Sequence, residues 1–190
     1  MQYIKGIENY QSDRAAAITL GKFDGLHRGH ELLVEHVIAE ASRNEWNSVV
    51  VAFDMKPLFQ KLNKEYDHLL TGEEKANRLD GRIDYFVECP FVDEIAQMEA
   101  EEFIEKILVD KFHARYIVLG TDFRFGHGRR GDGEMLKKYS QQYGYRIEIL
   151  EKKQYEGREI SSSYIKEELR KGNMELVDKL LGYSYKEQKK

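Results

Sequence analysis

The sequence is poor in several residue types that would otherwise set its class. Cys89 is the one cysteine among 190 residues, so neither an intramolecular disulfide nor a cysteine zinc cluster is available. It reads instead as a small buried side chain at a strand end. There are two prolines and no Pro/Gly/Ser-rich tract, internal repeat or low-complexity segment, so nothing marks a linker. No apolar run approaches the length of a membrane span. The opening Met1 to Gly6 lacks the apolar core of a signal peptide, which makes a cytoplasmic protein the default expectation. Thirty Lys and Arg against 34 Asp and Glu leave a net charge of -4, which argues against a general nucleic-acid binder. A nucleotide site is not excluded, because the field that matters there is local. What is present suits one domain: with 41% hydrophobic residues the chain can bury a real core. That domain is expected over residues 1–185, with 186–190 a charged tail.

The chain is organised around Ile18 to His30. Ala15 to Leu20 reads as a short buried strand, and Leu33, Val34, Val37, Ile38 and Ala41 recur at helical spacing after it. Gly21, Asp24, Gly25, His27, Gly29 and His30 therefore occupy a strand-to-helix turn, the place where open α/β sheets bind ligands. His27 and His30 are three residues apart and share a face if the helix begins near His27. A helix amino terminus offers free N–H groups and a positive dipole end, so two imidazoles there make a phosphate site without a P-loop. Gly25 and Gly29 allow a close approach of backbone or ligand.

Further along, Ser48 to Phe53 is a β-branched run expected to be a second buried strand parallel to the first. It ends in Asp54-Met55-Lys56-Pro57. Thr71 with Glu74 three residues on has the form of a capping box. Asp84 to Pro90 and Tyr116 to Leu119 read as strands. Glu101 to Phe112 reads as a helix whose stripe of Phe103, Ile104, Ile107, Leu108 and Phe112 belongs to the core. The next loop contains Asp122, Phe123, Arg124, Phe125, Arg129 and Arg130. Its Gly126 to Gly131 matches the dinucleotide fingerprint formally, but a charged, aromatic segment separates it from its strand. The loop is either a solvated basic loop or a pocket in which the phenyl rings line a flat ring and the guanidinium groups meet phosphates. A helix over about 133–142, a strand over Tyr145 to Leu150 and a helix over Met174 to Leu181 complete the pattern. Between them, Ser161, Ser162 and Ser163 stand where a helix starts. At least one is expected to be an N-cap, and the others are free to meet phosphate.

Gly21-Lys22-Phe23-Asp24-Gly25-Leu26-His27-Arg28-Gly29-His30 resembles the His-x-Gly-His signature of the nucleotidylyltransferase superfamily. More narrowly, it resembles the FMN adenylyltransferase (FAD synthetase) module of bacterial bifunctional riboflavin kinase/FAD synthetases. Gly120 to Asp132 resembles that family's Gly-x-Asn/Asp-Phe-x-Phe-Gly segment. Ile160 to Lys166 resembles an Ile-Ser-Ser-Thr-x-Ile-Arg motif, and Leu180 to Tyr185 resembles the closing segment of the module. The likeness runs over about residues 15 to 185. Departures stand at Lys22 (asparagine in the family), at Asp54 to Lys56 (a Glu-Pro-His-Pro-like segment), at Ser163 (threonine) and at Lys166 (arginine).

The resemblance implies a Rossmann-like α/β fold with a mostly parallel sheet and helices on both faces. It implies transfer of AMP from ATP to FMN, giving FAD and pyrophosphate. His27 and His30 are then catalytic. Gly21, Lys22, Phe23, Asp24, Gly25, Ser162, Ser163, Ile165 and Lys166 join them around ATP. Asp54, Pro57, Thr71, Asp122, Phe123, Arg124 and Phe125 would meet FMN. Mg²⁺ would arrive with ATP and no resident metal site is expected. The family's riboflavin kinase barrel has no counterpart here, so FMN is expected from a separate riboflavin kinase. Nucleic acid and membrane are not expected partners. Two rivals remain open: another transferase of the superfamily acting on phosphopantetheine or glycerol phosphate, and a non-catalytic flavin or nucleotide sensor.

Overall fold

The computed structural model describes residues 1–188. Six strands form one sheet, β1 (Gln2–Lys5), β2 (Ala16–Gly21), β3 (Asn47–Asp54), β4 (Tyr85–Pro90), β5 (Ala114–Gly120) and β6 (Arg146–Leu150), in the order β1-β4-β3-β2-β5-β6. Every pairing is parallel. The apolar runs explain the centre of the sheet. Ile18 of β2 sits in register with Val49 on one side and Ile117 on the other, and all three are fully buried. A strand covered on both faces has no use for alternation, so β2 is apolar but for Thr19 and β3 carries an unbroken apolar run from Val49 to Phe53.

Successive residues still point to opposite faces. Ile18, Leu20, Val49 and Val51 belong to one core, with Phe103, Ile104, Ile107, Leu108, Phe112 and Leu136. Ala17, Val50, Ala52, Phe86 and Val118 belong to the other, with Leu33, Val34, Val37 and Ala41 of α1 (Arg28–Asn44) and Ala76 and Leu79 of α3 (Gly72–Leu79). Helices thus cover both faces, as the apolar patterns imply. No helix among the described residues is long and apolar enough to cross a membrane.

Three elements differ from the pattern-based expectation. The segment expected as one α-helix is a short α5 (Ala100–Glu102) that continues as a π-helix, Phe103–Lys111. The four-to-five-residue steps from Phe103 through Ile107 and Leu108 to Phe112 fit the wider i→i+5 turn, and the stripe is core in either geometry. Tyr145 precedes β6 rather than starting it; its hydroxyl donates to the Leu136 carbonyl at 2.7 Å and ties the strand to α6 (Gly133–Tyr143). β1, too short and mixed to show periodicity, pairs with β4 at the sheet edge. A small hairpin, β7 (Gln154–Tyr155) and β8 (Arg158–Glu159), turns through Glu156 and Gly157, both at positive φ.

From β2 the chain steps outward through β3 and β4 on one side, and through β5 and β6 on the other. The order therefore reverses between β2 and β5, and the crevice at a switch point lies outside the carboxyl ends of those two strands. The loops that leave there are the His27/His30 turn and the aromatic loop after Gly120. A third cluster of Leu69, Ile160, Tyr164, Ile165, Val177, Leu180 and Leu181 packs α7 (Ser162–Arg170) and α8 (Met174–Leu181) together.

Candidate active site

The turn after β2 is built from backbone that side chains rarely adopt. Phe23 has φ 48°, Gly25 φ 87° and Leu26 φ 39°. At Gly25 a Cβ would lie 2.6 Å from Leu69 Cδ1, so glycine is required for space as well as for conformation. Phe23 is wholly buried, with its ring 5.0 Å from that of His30. His27 is the N-cap of α1, and its Nδ1 accepts the Gly29 N–H at 3.2 Å. His30 is three positions on, and the two imidazoles stack at 3.7 Å and 20°. The three-residue spacing thus puts both rings at one helix start.

The electrostatics follow from this packing. Burial pushes His27 down to about 4, against the pull of Asp24. Burial, the neighbouring His27 and Lys75 hold His30 well below the usual imidazole range. Both rings are therefore neutral at pH 7. His27, with Nδ1 accepting, presents Nε2–H as a donor. The Nδ1 of His30 is buried without a hydrogen-bond partner among the described residues.

The turn is locked to α7. Ser161, not Ser162 or Ser163, is the N-cap, accepting from the Tyr164 N–H at 3.2 Å. Ser162 Oγ donates to the Asp24 carbonyl at 2.7 Å. The Asp24 carboxylate accepts the Leu69 N–H at 2.7 Å and pairs with Lys166 Nζ at 2.7 Å, while Lys166 also donates to the Asp67 carbonyl at 2.6 Å. Space beside Gly29 ends at the Ile160 carbonyl, 3.9 Å from a notional Cβ, so α1 and α7 begin side by side. Two helix amino termini, two neutral imidazoles and the Lys166 ammonium, paired with the Asp24 carboxylate, converge there. Ser163 is exposed beside it. Ile165 is fully buried in the third cluster and anchors α7 rather than lining the crevice. Gly21 ends β2 against the Phe23 ring, and the Lys22 side chain is exposed.

The residues expected around an acceptor sit on separate loops. Asp54 Oδ1 accepts the Lys56 N–H at 3.0 Å, and Pro57 lies in the first turn of α2 (Lys56–Lys61). Thr71 is fully engaged as the cap of α3: its hydroxyl accepts from Glu74 N–H at 3.2 Å, and Glu74 accepts the Thr71 N–H at 2.7 Å. Asp122 is exposed and pairs with Lys152 at 2.9 Å, which also reaches Glu159 at 3.2 Å. Phe123 is half-buried. Phe125 is core, tilted against Phe103 at 5.3 Å and stacked on Phe123 at 5.8 Å, so only Phe123 offers a ring surface. Arg124 donates to the carbonyls of Thr121 and Phe123, and Arg130 pairs with Glu99. Gly126 and Gly128 belong to an irregular turn, far in character from a strand-to-helix fingerprint.

One buried residue stands in the sequence only as the end of the Leu69 to Lys75 segment, which resembles the family's Leu-Thr…Glu-Lys segment, with no site role expected of it. Lys75 of α3 donates to the Lys22 carbonyl at 3.2 Å beneath the histidine turn. Its signal was a lysine on the apolar stripe of a capped helix, next to Ala76 and one turn before Leu79. A shallow cleft at the amino ends of the strands, between Arg14, Trp46, Arg82 and Asp84, has Arg82 paired with Glu31 and Asp84 with Ser48.

Comparison with known proteins places the chain in a family. The bifunctional riboflavin kinase/FMN adenylyltransferase of Buchnera aphidicola (subsp. Acyrthosiphon pisum) is 31% identical over 96% of this chain, and that of Escherichia coli K12 is 31% identical over 97%. The chain spans about three fifths of the length of these relatives, 59% and 60%. A solved structure from Streptococcus pneumoniae described as a macrolide-efflux protein superposes with a TM-score of 0.83 at 25% identity, over 96% of this chain and 62% of its own. The sequence model of the FAD synthetase family matches residues 9–164, from before β2 into the first turn of α7, and the chain belongs to that family.

Proposed function

We propose that this chain is an FMN adenylyltransferase. An oxygen of the FMN phosphate attacks the α-phosphorus of ATP in line; the new P–O bond forms as the bond to the β-phosphate oxygen breaks, and pyrophosphate leaves. No covalent intermediate and no nucleophilic side chain are required, so the work is positioning and charge stabilisation. The observation that carries the reading is the stacked, neutral His27/His30 pair beside the start of α7. The imidazole N–H groups and the two helix starts stabilise the charge that develops on the α- and β-phosphate oxygens. Lys166 holds the leaving pyrophosphate after exchanging Asp24 for it, with Ser162 and Ser163 at the same helix start. Gly21, Lys22, Phe23, Asp24 and Gly25 shape the nucleotide side. Asp54, Pro57, Thr71, Asp122, Phe123, Arg124 and Phe125 form or support the acceptor side.

Among the described residues no three His, Cys, Asp or Glu groups are arranged to hold a metal ion. Mg²⁺ is accordingly proposed as part of the MgATP substrate, with phosphate and water as its ligands. We further propose residues 1–185 as the unit that carries the activity, in the cytoplasm, with FMN supplied by a separate riboflavin kinase. Residues 189–190 of the expected tail lie outside the described residues, and Tyr185–Gln188 form a short helix.

The test is incubation of the protein with ATP, Mg²⁺ and FMN, with riboflavin in parallel, followed by chromatography of the flavins. FAD from FMN and nothing from riboflavin is expected. FMN bound without turnover would make the protein a sensor. No flavin binding would assign the site to another phosphorylated acceptor and overturn the role of Phe123.

A further inference from the structure

Lys75 has no part in the chemistry described above. It is 4% exposed and is the one lysine or arginine among the described residues that is buried as a whole. An ammonium out of water is costly unless hydrogen bonds and opposite charge compensate it. Leucine or methionine at this place on α3, beside the buried Ala76 and Leu79, would cover the sheet without that cost. Burial does press the Lys75 proton off, and Asp24, Glu88 and Asp54 hold it on. Carboxylates of the turn, of β4 and of β3 thus oppose the desolvation, and the net direction is downward.

What the charge reaches is specific. It donates to the carbonyl of Lys22, the peptide immediately before Phe23. Phe23 stands at φ 48°, a left-handed conformation that is unfavourable for a residue with a Cβ and persists only where its surroundings enforce it. The Phe23 ring in turn packs against the His30 ring, and His30 stacks on His27. One chain of contacts therefore runs from Lys75 Nζ through the Lys22 carbonyl and the Phe23 ring to the imidazoles.

We propose that Lys75 is a positioning residue for AMP transfer, holding the Lys22–Phe23 peptide in the orientation that seats His30 against His27. The inference rests on the transferase reading. It gives Lys75 a role in the transition state without contact with ATP. The charged and titratable groups that face this spot are Asp24 from the turn, Asp54 from β3, Glu88 from β4, His27 at the cap of α1 and Lys166 from α7. With these unchanged, loss of the Lys75 charge raises the proton affinity of His30.

The experiment compares the full chain with Lys75→Met and Lys75→Arg. Melting curves report folding, and kcat and KM for MgATP are measured at saturating FMN. The histidine ring resonances are titrated by NMR without substrate, with His30 assigned by His30→Gln. The expected result for folded Lys75→Met is a kcat lower by about tenfold or more with KM for MgATP within about threefold, the pattern of a group that acts only in the transition state. The His30 titration should move upward. Lys75→Arg keeps the charge but not the carbonyl contact, and its kcat should fall between the two. Wild-type kcat in folded Lys75→Met or in Lys75→Arg overturns the proposal, and so does a raised KM with intact kcat. Should Lys75→Met not fold, Lys75→Arg carries the test alone. Should the wild-type chain make no FAD, the transferase reading fails separately, and the ligand-free NMR decides: a His30 titration and ring shifts in Lys75→Met identical to wild type overturn the positioning role.

Discussion

The two loops at the switch point are organised in opposite ways. The histidine turn after β2 is held by partners from four other parts of the chain: Leu69 from the segment before α3, Lys75 from α3, Ser162 and Lys166 from α7, and Tyr183, whose hydroxyl donates to the Gly25 carbonyl at 2.7 Å. The aromatic loop after β5 has fewer ties beyond itself: the His127 N–H donates to the Met98 carbonyl at 2.7 Å and Arg130 pairs with Glu99. Arg124 bonds its own loop carbonyls, Phe125 and Gly131 close an antiparallel bridge, and the Asp122 pair with Lys152 lies at the surface. A phosphate site must be rigid, because donors have to be aimed before charge develops. A site for a flat ring needs a surface and a rim, which a local loop can supply. Damage on the first side should therefore appear in kcat, and damage on the second in the KM for the acceptor.

The largest expected effect is that of His30→Ala: AMP transfer falls by on the order of 10³-fold while the melting temperature changes little, as judged by FAD formation and circular dichroism. Near wild-type turnover would remove His30 from the chemistry. Lys166→Met is next. It strips the pyrophosphate side of its cation and leaves Asp24 Oδ2 without its partner, so a loss of about 10²-fold in kcat/KM for MgATP is expected, together with lower stability.

A pH titration of stability probes the same region without substrate. An imidazole that the fold holds at about 4, against 6.5 when unfolded, binds its proton preferentially in the unfolded chain. Stability is then complete above pH 6.5 and is lost as the pH falls toward 4. His27 alone contributes on the order of 3 kcal/mol of that loss, and His30 acts in the same direction. Denaturant unfolding between pH 7 and pH 4, compared with His27→Gln, measures it. A pH-independent midpoint would mean that the rings are not buried neutral.

On the other loop the effects are smaller and of another kind. Phe123→Ala should raise the KM for FMN about tenfold with kcat for bound substrates unchanged, since a half-buried ring contributes contact area and not aim. Arg124→Ala should change it by about threefold at most, because its guanidinium is already committed to carbonyls. Steady-state kinetics with FMN varied separate the two. A kcat loss at Phe123 equal to that at His30 would erase the distinction between the loops.

The histidine turn was legible because its signal is local: two glycines, an acid and two imidazoles between an apolar run and an amphipathic helix. The capping box at Thr71 and Glu74 was legible for the same reason. The role of Phe125 was not. Phenylalanine at a loop position is the same letter whether it lines a pocket or fills the core, and only its packing on Phe103 settles which. The burial of Lys75 was hidden by the ordinary rule that lysine is solvated, which fails where a backbone carbonyl accepts the ammonium inside the helix face.

The sequence by itself determined the α/β class, the buried central strands, the amphipathic helices and the start of α1 at His27, because periodicity and capping act over a few residues. The tertiary structure alone decided which strands flank the switch point. It also brought α7 against α1, so that Asp24 meets Lys166 across more than a hundred residues, and it put a buried lysine beneath the histidine turn. Those are contacts between distant segments. They are fixed by how the two cores close on the sheet, and no short pattern in the chain encodes them.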